Sequence, residues 1–167
     1  MIVRSARGED APRVASLAGS VFHLACPPDT PSDEIARYLR EALSIESIVD
    51  TINSPVHQVR IVEVAGELAG FSVVSRDPPS LGITTADGIP ELTRCYVAAA
   101  YHGSGAARVL LRHTLSDITG AMRLMVNDHN ARAIRFYQRH GFITVGETSF
   151  QCGDDMHRDI VMVRSAG

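Results

Sequence analysis

The chain has 167 residues, 45% of them apolar and 21% charged, with a net charge of -3. That size suits one domain spanning 1–167 with one sizeable core, and the charge argues against a dedicated nucleic-acid binder. Apolar runs are only a few residues long, far short of the roughly 20 needed to span a bilayer. The opening Met1-Ile2-Val3-Arg4 leads directly into alternating sequence and shows no secretory h-region. Cys26, Cys95 and Cys152 are an odd count at unrelated spacings, which suits reduced thiols in the cytoplasm rather than a disulfide framework or zinc knuckle.

Taken in chain order, Ile2 to Ala6 reads as a short strand. Asp10 then caps a helix whose apolar face is Val14, Leu17, Ala18 and Val21. Cys26-Pro27-Pro28-Asp29 breaks it, and Thr30-Pro31-Ser32-Asp33 starts the next, with proline at the first helical position. Ile35, Tyr38, Leu39 and Ala42 form its stripe. Ser44 restarts a helix carrying Ile45, Ile48, Val49 and Ile52. His57 to Val64 and Leu68 to Ser75 read as a hairpin through Ala65-Gly66-Glu67. A proline- and glycine-rich loop fills 75–90, a length more often functional than idle. Glu91 to Ala98 is a strand, and a helix follows with its stripe at Ala107, Leu110, Leu111, Thr114 and Ile118. Ala121 to Val126 is a strand, and Asp128 to His140 a helix stopped by Gly141. Phe142 to Phe150 and His157 to Val163 close the chain as an antiparallel pair. The order β-α-α-α-β-β-β-α-β-α-β-β predicts an α+β fold, a mixed α/β sandwich.

The stretch "YHGSGAARVLL", Tyr101 to Leu111, places small residues where a loop becomes a helix. Arg108 and Arg112 occupy its first turns, the unfavourable sign at the positive end of a helix dipole. An anion on the N–H groups of residues 103–107 would remove that cost, and Gly103 and Gly105 would let phosphate oxygens approach. A plain tight turn with close strand–helix packing accounts for the same residues. A P-loop is excluded because the chain has no lysine, and a dinucleotide fingerprint fits poorly.

His102-Gly103-Ser104-Gly105-Ala106-Ala107, preceded by the strand Leu92-Thr93-Arg94-Cys95-Tyr96-Val97, resembles the acyl-CoA motif of the GNAT (Gcn5-related) N-acetyltransferases, Gln/Arg-x-x-Gly-x-Gly/Ala after a "YV" strand. Asn127 to Phe142, "NDHNARAIRFYQRHGF", resembles the family's second motif. The two occur in the right order, and the predicted element order is also the family's. Departures are His102, where Gln or Arg is usual, and Ala98-Ala99-Ala100, without the common proline. The resemblance implies a central, mostly antiparallel sheet of six to seven strands with a splayed parallel pair and helices on both faces.

The resemblance also implies acetyl-CoA as co-substrate. The backbone of Cys95, Tyr96 and Val97 would pair with the pantetheine amides. The N–H groups of His102, Gly103, Ser104, Gly105, Ala106 and Ala107 would hold the diphosphate. Asn130 would bond the pantetheine arm, although an ordinary N-cap explains it equally. Tyr137 is the candidate general acid for the leaving thiolate: a tyrosine of pKa ~10 is protonated at neutral pH, against ~8.5 for a thiol. Its place in the stripe Ala133, Phe136, Tyr137 and His140 also suits a core ring. Glu91 is the candidate base for the acceptor amine, with a solvated strand-end glutamate as the alternative. Scattered histidines without His-x-x-x-His or Cys-x-x-Cys pairs predict no metal. Cys95, with no histidine near it in sequence, reads as a buried thiol rather than a nucleophile.

The reaction so implied is direct acetyl transfer to a primary amine, the alternative being a catalytically silent acyl-CoA-binding regulatory module of the same fold. Six acids and two arginines lie between Asp29 and Asp50, a net charge of -4 against -3 for the whole chain. They either fill solvated helix faces or attract a cationic acceptor. The segment "ACPPDTPSDEIARYLREALSIESI" and the ending "GDDMHRDIVM" resemble bacterial GNATs that acetylate spermidine and spermine, which makes a polyamine the expected acceptor. The closing strands offer an edge for a homodimer.

Overall fold

The computed structural model describes residues 1–152 and 155–167. Gly153 and Asp154, within the closing stretch that resembles polyamine acetyltransferases, lie outside the described residues, as does the Cys152 side chain. Seven strands form one sheet: β1 (Ile2–Ser5), β2 (His57–Val64), β3 (Glu67–Ser75), β4 (Glu91–Val97), β5 (Met122–Asn127), β6 (Ile143–Cys152) and β7 (Asp155–Arg164). Their spatial order is β1-β2-β3-β4-β5-β7-β6, antiparallel throughout except between β4 and β5. The helices are α1 (Ala11–Ala25), α2 (Ser32–Ala42), α3 (Ile45–Asn53), α4 (Ala106–Ser116) and α5 (Ala131–Arg139). This is the predicted mixed α+β order.

The pleat sorts β2 between two layers. Val59 and Ile61 pack with Val14, Leu17, Ala18 and Val21 of α1 and Ile48 of α3. Val62, next in sequence to Ile61, packs on the opposite face with Ala106 and Leu110 of α4. A third cluster joins Leu111 of α4 and the rings of α5 to Met122, Leu124 and Val126 of β5. Helices therefore cover both faces.

Three local readings need correction. The Asp10 carboxylate does not cap α1: it accepts from the Arg7 N–H at 2.8 Å and from Arg4 at 2.8 and 2.9 Å, tying β1 to the turn before the helix. Pro31 is the residue before α2 and not its first helical residue. The hairpin turn is two residues long, because Ala65 (φ 51°) and Gly66 (φ 83°) are both left-handed and Glu67 already pairs with Val64. Ser44 does cap α3, accepting from the Ser47 N–H at 3.2 Å.

What matters for function is a break in the sheet. β4 and β5 pair only at Glu91↔Arg123 and Leu92↔Leu124, whereas β4 stays paired with β3 up to Gly70↔Val97. A Cβ on Gly70 would stand 2.6 Å from the Tyr96 carbonyl oxygen and 2.9 Å from Val97 Cγ2. Only glycine permits β3 and β4 to close up so tightly there. β5 meanwhile follows β7 from Met122↔Arg164 to Asn127↔Asp159. The two parallel strands part company, and the β5-facing edge of β4 beyond Leu92 has no strand partner.

Candidate active site

The splay opens into a cleft of about 1210 Å³. Ten of the expected site residues line it: Cys95, Tyr96 and Val97 from β4, His102, Gly103, Ser104, Gly105 and Ala107 around the start of α4, and Asn130 and Tyr137 from α5. Two do not. Ala106 is buried in the core under α4. Glu91 is buried as the partner of the fully buried Arg123, whose Nε donates to its carboxylate at 2.7 Å. The Glu91 carboxylate, expected as a base, thus faces a guanidinium and does not line the cleft.

The loop before α4 offers a built anion cradle, though a narrower one than the six N–H groups expected. The N–H of His102 already donates to Ala99 O at 3.1 Å, that of Ser104 to Tyr101 O at 3.2 Å, and that of Ala106 to Ser104 Oγ at 3.2 Å. The N–H groups of Gly103, Gly105, Ala107 and Arg108 carry no hydrogen bond among the described residues. Gly103 and Gly105 have φ of 81° and 90°, the left-handed geometry that turns successive amides to one side. Unsatisfied amides at a helix start, flanked by a cationic side chain at Arg108, fit a diphosphate.

His102 plays a different part from a direct phosphate ligand. Its Nε2–H donates to Val97 O at 2.9 Å, which leaves Nδ1 as the acceptor for Arg132 Nη1 at 2.9 Å. The imidazole thus fastens β4 to the loop and holds the Arg132 guanidinium beside it. Asn130 caps α5 through Oδ1, accepting from the Ala133 N–H at 3.1 Å. Its amide nitrogen remains available to the cleft, so capping and ligand binding are compatible in one side chain.

Tyr137 is half-buried, with its ring edge-on to Phe136 at 5.3 Å and to Phe142 at 5.7 Å. Its hydroxyl neighbours the Cys95 sulfur across the splay, each group shifting the other's pKa. Burial holds the phenol well above its ordinary pKa, with Cys95 and Tyr96 adding to the effect. Burial likewise pushes the Cys95 thiol up to about 12, partly offset by the neighbouring Tyr137. A thiol held so firmly protonated is no nucleophile. Tyr137 thus holds a protonated hydroxyl in the cleft beside a sulfur.

The other wall comes from α1, α2 and the outer parts of β4 to β7. Phe22 and Tyr38 stack at 4.5 Å, and Arg94 Nη2 donates to the Tyr38 hydroxyl at 2.9 Å. Arg94 has no carboxylate partner among the described residues, and its Nε is buried without a hydrogen bond. Of the six acids between Asp29 and Asp50, only Glu34 and Glu41 line the cleft; Asp29, Asp33, Glu46 and Asp50 are exposed elsewhere. Glu34 is paired with Arg37 at 2.6 Å. Asp159, from β7, completes this wall.

The family model of the GNAT acetyltransferases matches residues 20–142. An uncharacterized N-acetyltransferase of Mycobacterium tuberculosis is 33% identical over 159 residues, covering 93% of this chain and 97% of its own. Another, from Lactobacillus delbrueckii subsp. lactis, is 21% identical over 161 residues, covering 94% and 92%. Among solved structures, the PaiA N-acetyltransferase of Thermoplasma acidophilum in complex with coenzyme A superposes with a TM-score of 0.78 at 18% identity over 98% of both chains. The chain belongs to the GNAT acetyltransferase family. It is an acetyl-CoA-dependent N-acetyltransferase.

For Gly105→Glu we expect acetyl-CoA binding to be lost, because a side chain and a negative charge would occupy the anion cradle. Calorimetric titration of the variant, with circular dichroism to verify its fold, checks this. Wild-type affinity in a folded variant would contradict the cradle.

Proposed function

We propose that the protein acts in the cytoplasm, moving the acetyl group of acetyl-CoA directly onto the primary amine of a small cationic acceptor, a polyamine first among them. The observation that carries direct transfer is the protonated Tyr137 hydroxyl lining the splay beside a sulfur, where a departing thiolate would need a donor. Transfer of its proton to a thiolate of pKa ~8.5 is uphill from a phenol held above 10. Tyr137 therefore works first as a hydrogen-bond donor to developing negative charge, and gives up the proton only as the C–S bond breaks. The same placement favours an enzyme over a silent acyl-CoA-binding module, whose signature would be acetyl-CoA binding with no turnover on any amine.

Glu34, Glu41 and Asp159 give the acceptor wall its negative groups. For a cationic acceptor they would speed encounter in a salt-dependent way. Arg94 favours a second reading, an amine that also carries a carboxylate or carbonyl oxygen to meet a guanidinium that has no carboxylate partner and a free Nε. We expect kcat/KM to be highest for spermidine among spermidine, an aminoglycoside, an amino acid and a peptide, and to fall with added salt. An amino acid as the best acceptor, or no salt effect with spermidine, would decide for the Arg94 reading. We propose a homodimer as well, for which β6 offers one of the two sheet edges, with Ile143 64% and Phe150 38% exposed.

A further inference from the structure

With Glu91 committed to Arg123, the acceptor's ammonium needs another proton acceptor before it can attack. We propose that Asp159 is that group: it binds the acceptor ammonium and takes its proton. This deepens the reading of transfer to an amine and rests on it.

The placement follows from register. Asp159 pairs with Asn127 on one side and Thr148 on the other, at the end of β5 that borders the splay. Its neighbours Ile160 and Met162 point into the core beneath α5. By the two-residue period of a strand, Asp159 therefore faces the opposite layer, and it lines the cleft from there. Tyr137 and Cys95 belong to the α5 side. A nucleophile held by Asp159 and a sulfur met by Tyr137 would thus approach one carbonyl from opposite sides of the sheet.

Asp159 is suited to the task by what surrounds it. It forms no ion pair among the described residues, unlike Glu34 and Glu91. Burial is the largest effect on its pKa and moves it upward; Asp128 adds to this, while Asn127 and His157 pull it down. Thr148 opposite is uncharged, and Arg94 from β4 and His140 from α5 share the cleft. A carboxylate that is half-desolvated and lacks a cation gains most from an ammonium and is a stronger base than an ordinary aspartate.

The step balances as follows. The ammonium gives one proton to Asp159, and the amine lone pair forms the C–N bond at the thioester carbonyl carbon. The C–S bond breaks with its pair on sulfur. The second nitrogen proton replaces the one Tyr137 gives to sulfur, and Asp159 returns its proton to solvent. The products are the acetamide, the free thiol of CoA and one proton.

Asp159→Asn tests the assignment, with the best acceptor of the panel above. We expect acceptor kcat/KM to fall roughly 10²–10⁴-fold, with acetyl-CoA affinity unchanged. In the wild type, kcat/KM should rise with pH through a pKa above that of an ordinary aspartate; in the variant that limb should vanish. Asp159→Glu should restore part of the activity. Because a raised carboxylate pKa destabilises the fold at pH values above it, Asp159→Asn should also leave Tm equal or higher at neutral pH. Near-wild-type kcat/KM, a persistent limb, or a lowered Tm with weakened acetyl-CoA binding would each overturn the proposal. Wild-type turnover across the panel judges the acceptor reading, and the variant-to-wild-type ratio judges Asp159. The Tm comparison needs no acceptor and tests Asp159 whatever the panel shows.

Discussion

Arg123→Met should cost about 3–5 kcal/mol of stability, the loss typical of stripping one partner from a buried ion pair. Arg123, the second residue of β5, is 0% exposed, and nearly every side-chain hydrogen bond it makes reaches the loop 76–90 or its end. Nε donates to Glu91 at 2.7 Å, Nη1 to Ala86 O at 3.0 Å and to Asp87 at 3.3 Å, and Nη2 to Pro79 O at 2.6 Å. Asp87 in turn accepts from Ser80 Oγ and from the N–H groups of Leu81 and Gly82, bonds that together hold its carboxyl below the usual range. Methionine fills the stem's volume but leaves the Glu91 carboxylate and two loop carbonyls without a donor. For a chain of this length the drop in Tm should be on the order of 10 °C, read by scanning calorimetry. Adding Glu91→Leu should recover part of it, since the stranded charge goes with it. A Tm within a degree or two of wild type would mean that water enters and solvates Glu91.

Tyr137→Phe is the change with the largest expected effect on rate. The ring keeps its contacts with Phe136 and Phe142, so acetyl-CoA affinity should hold. Loss of the donor should lower kcat roughly 10²–10⁴-fold. Steady-state kinetics with calorimetric binding separates the two quantities. Activity near wild type would make Tyr137 a core ring and leave solvent to protonate the thiol.

The strands and helical stripes could be read from the sequence because their periodicity reflects which face is buried: Val14, Leu17, Ala18 and Val21 all reach the core as spaced. The cleft could be read because Gly103, Gly105 and Tyr137 belong to motifs whose backbone geometry travels with them. Partners across space could not. Glu91 and Asp159 look alike in sequence, each an acid directly before an apolar residue of a strand, and the guanidinium of Arg123 distinguishes them. One signal was present: Arg123 interrupts the apolar run Met122 to Val126, where a strand buried on both faces tolerates a charge only with a counter-charge. The cap at Pro31 and the role of Asp10 depended on dihedral angles that residue type alone does not set.

The four free amides at Gly103, Gly105, Ala107 and Arg108 belong to the main chain, and the opposing wall is made of side chains from α1 and α2. The two halves of the cleft can therefore evolve on separate schedules. On the proposed reading, exchanging Phe22, Tyr38 or Glu41 should redirect the enzyme to another acceptor while the free loop amides stay where they are. For redesign, variation belongs on the first two helices, and the loop before α4 is best left untouched.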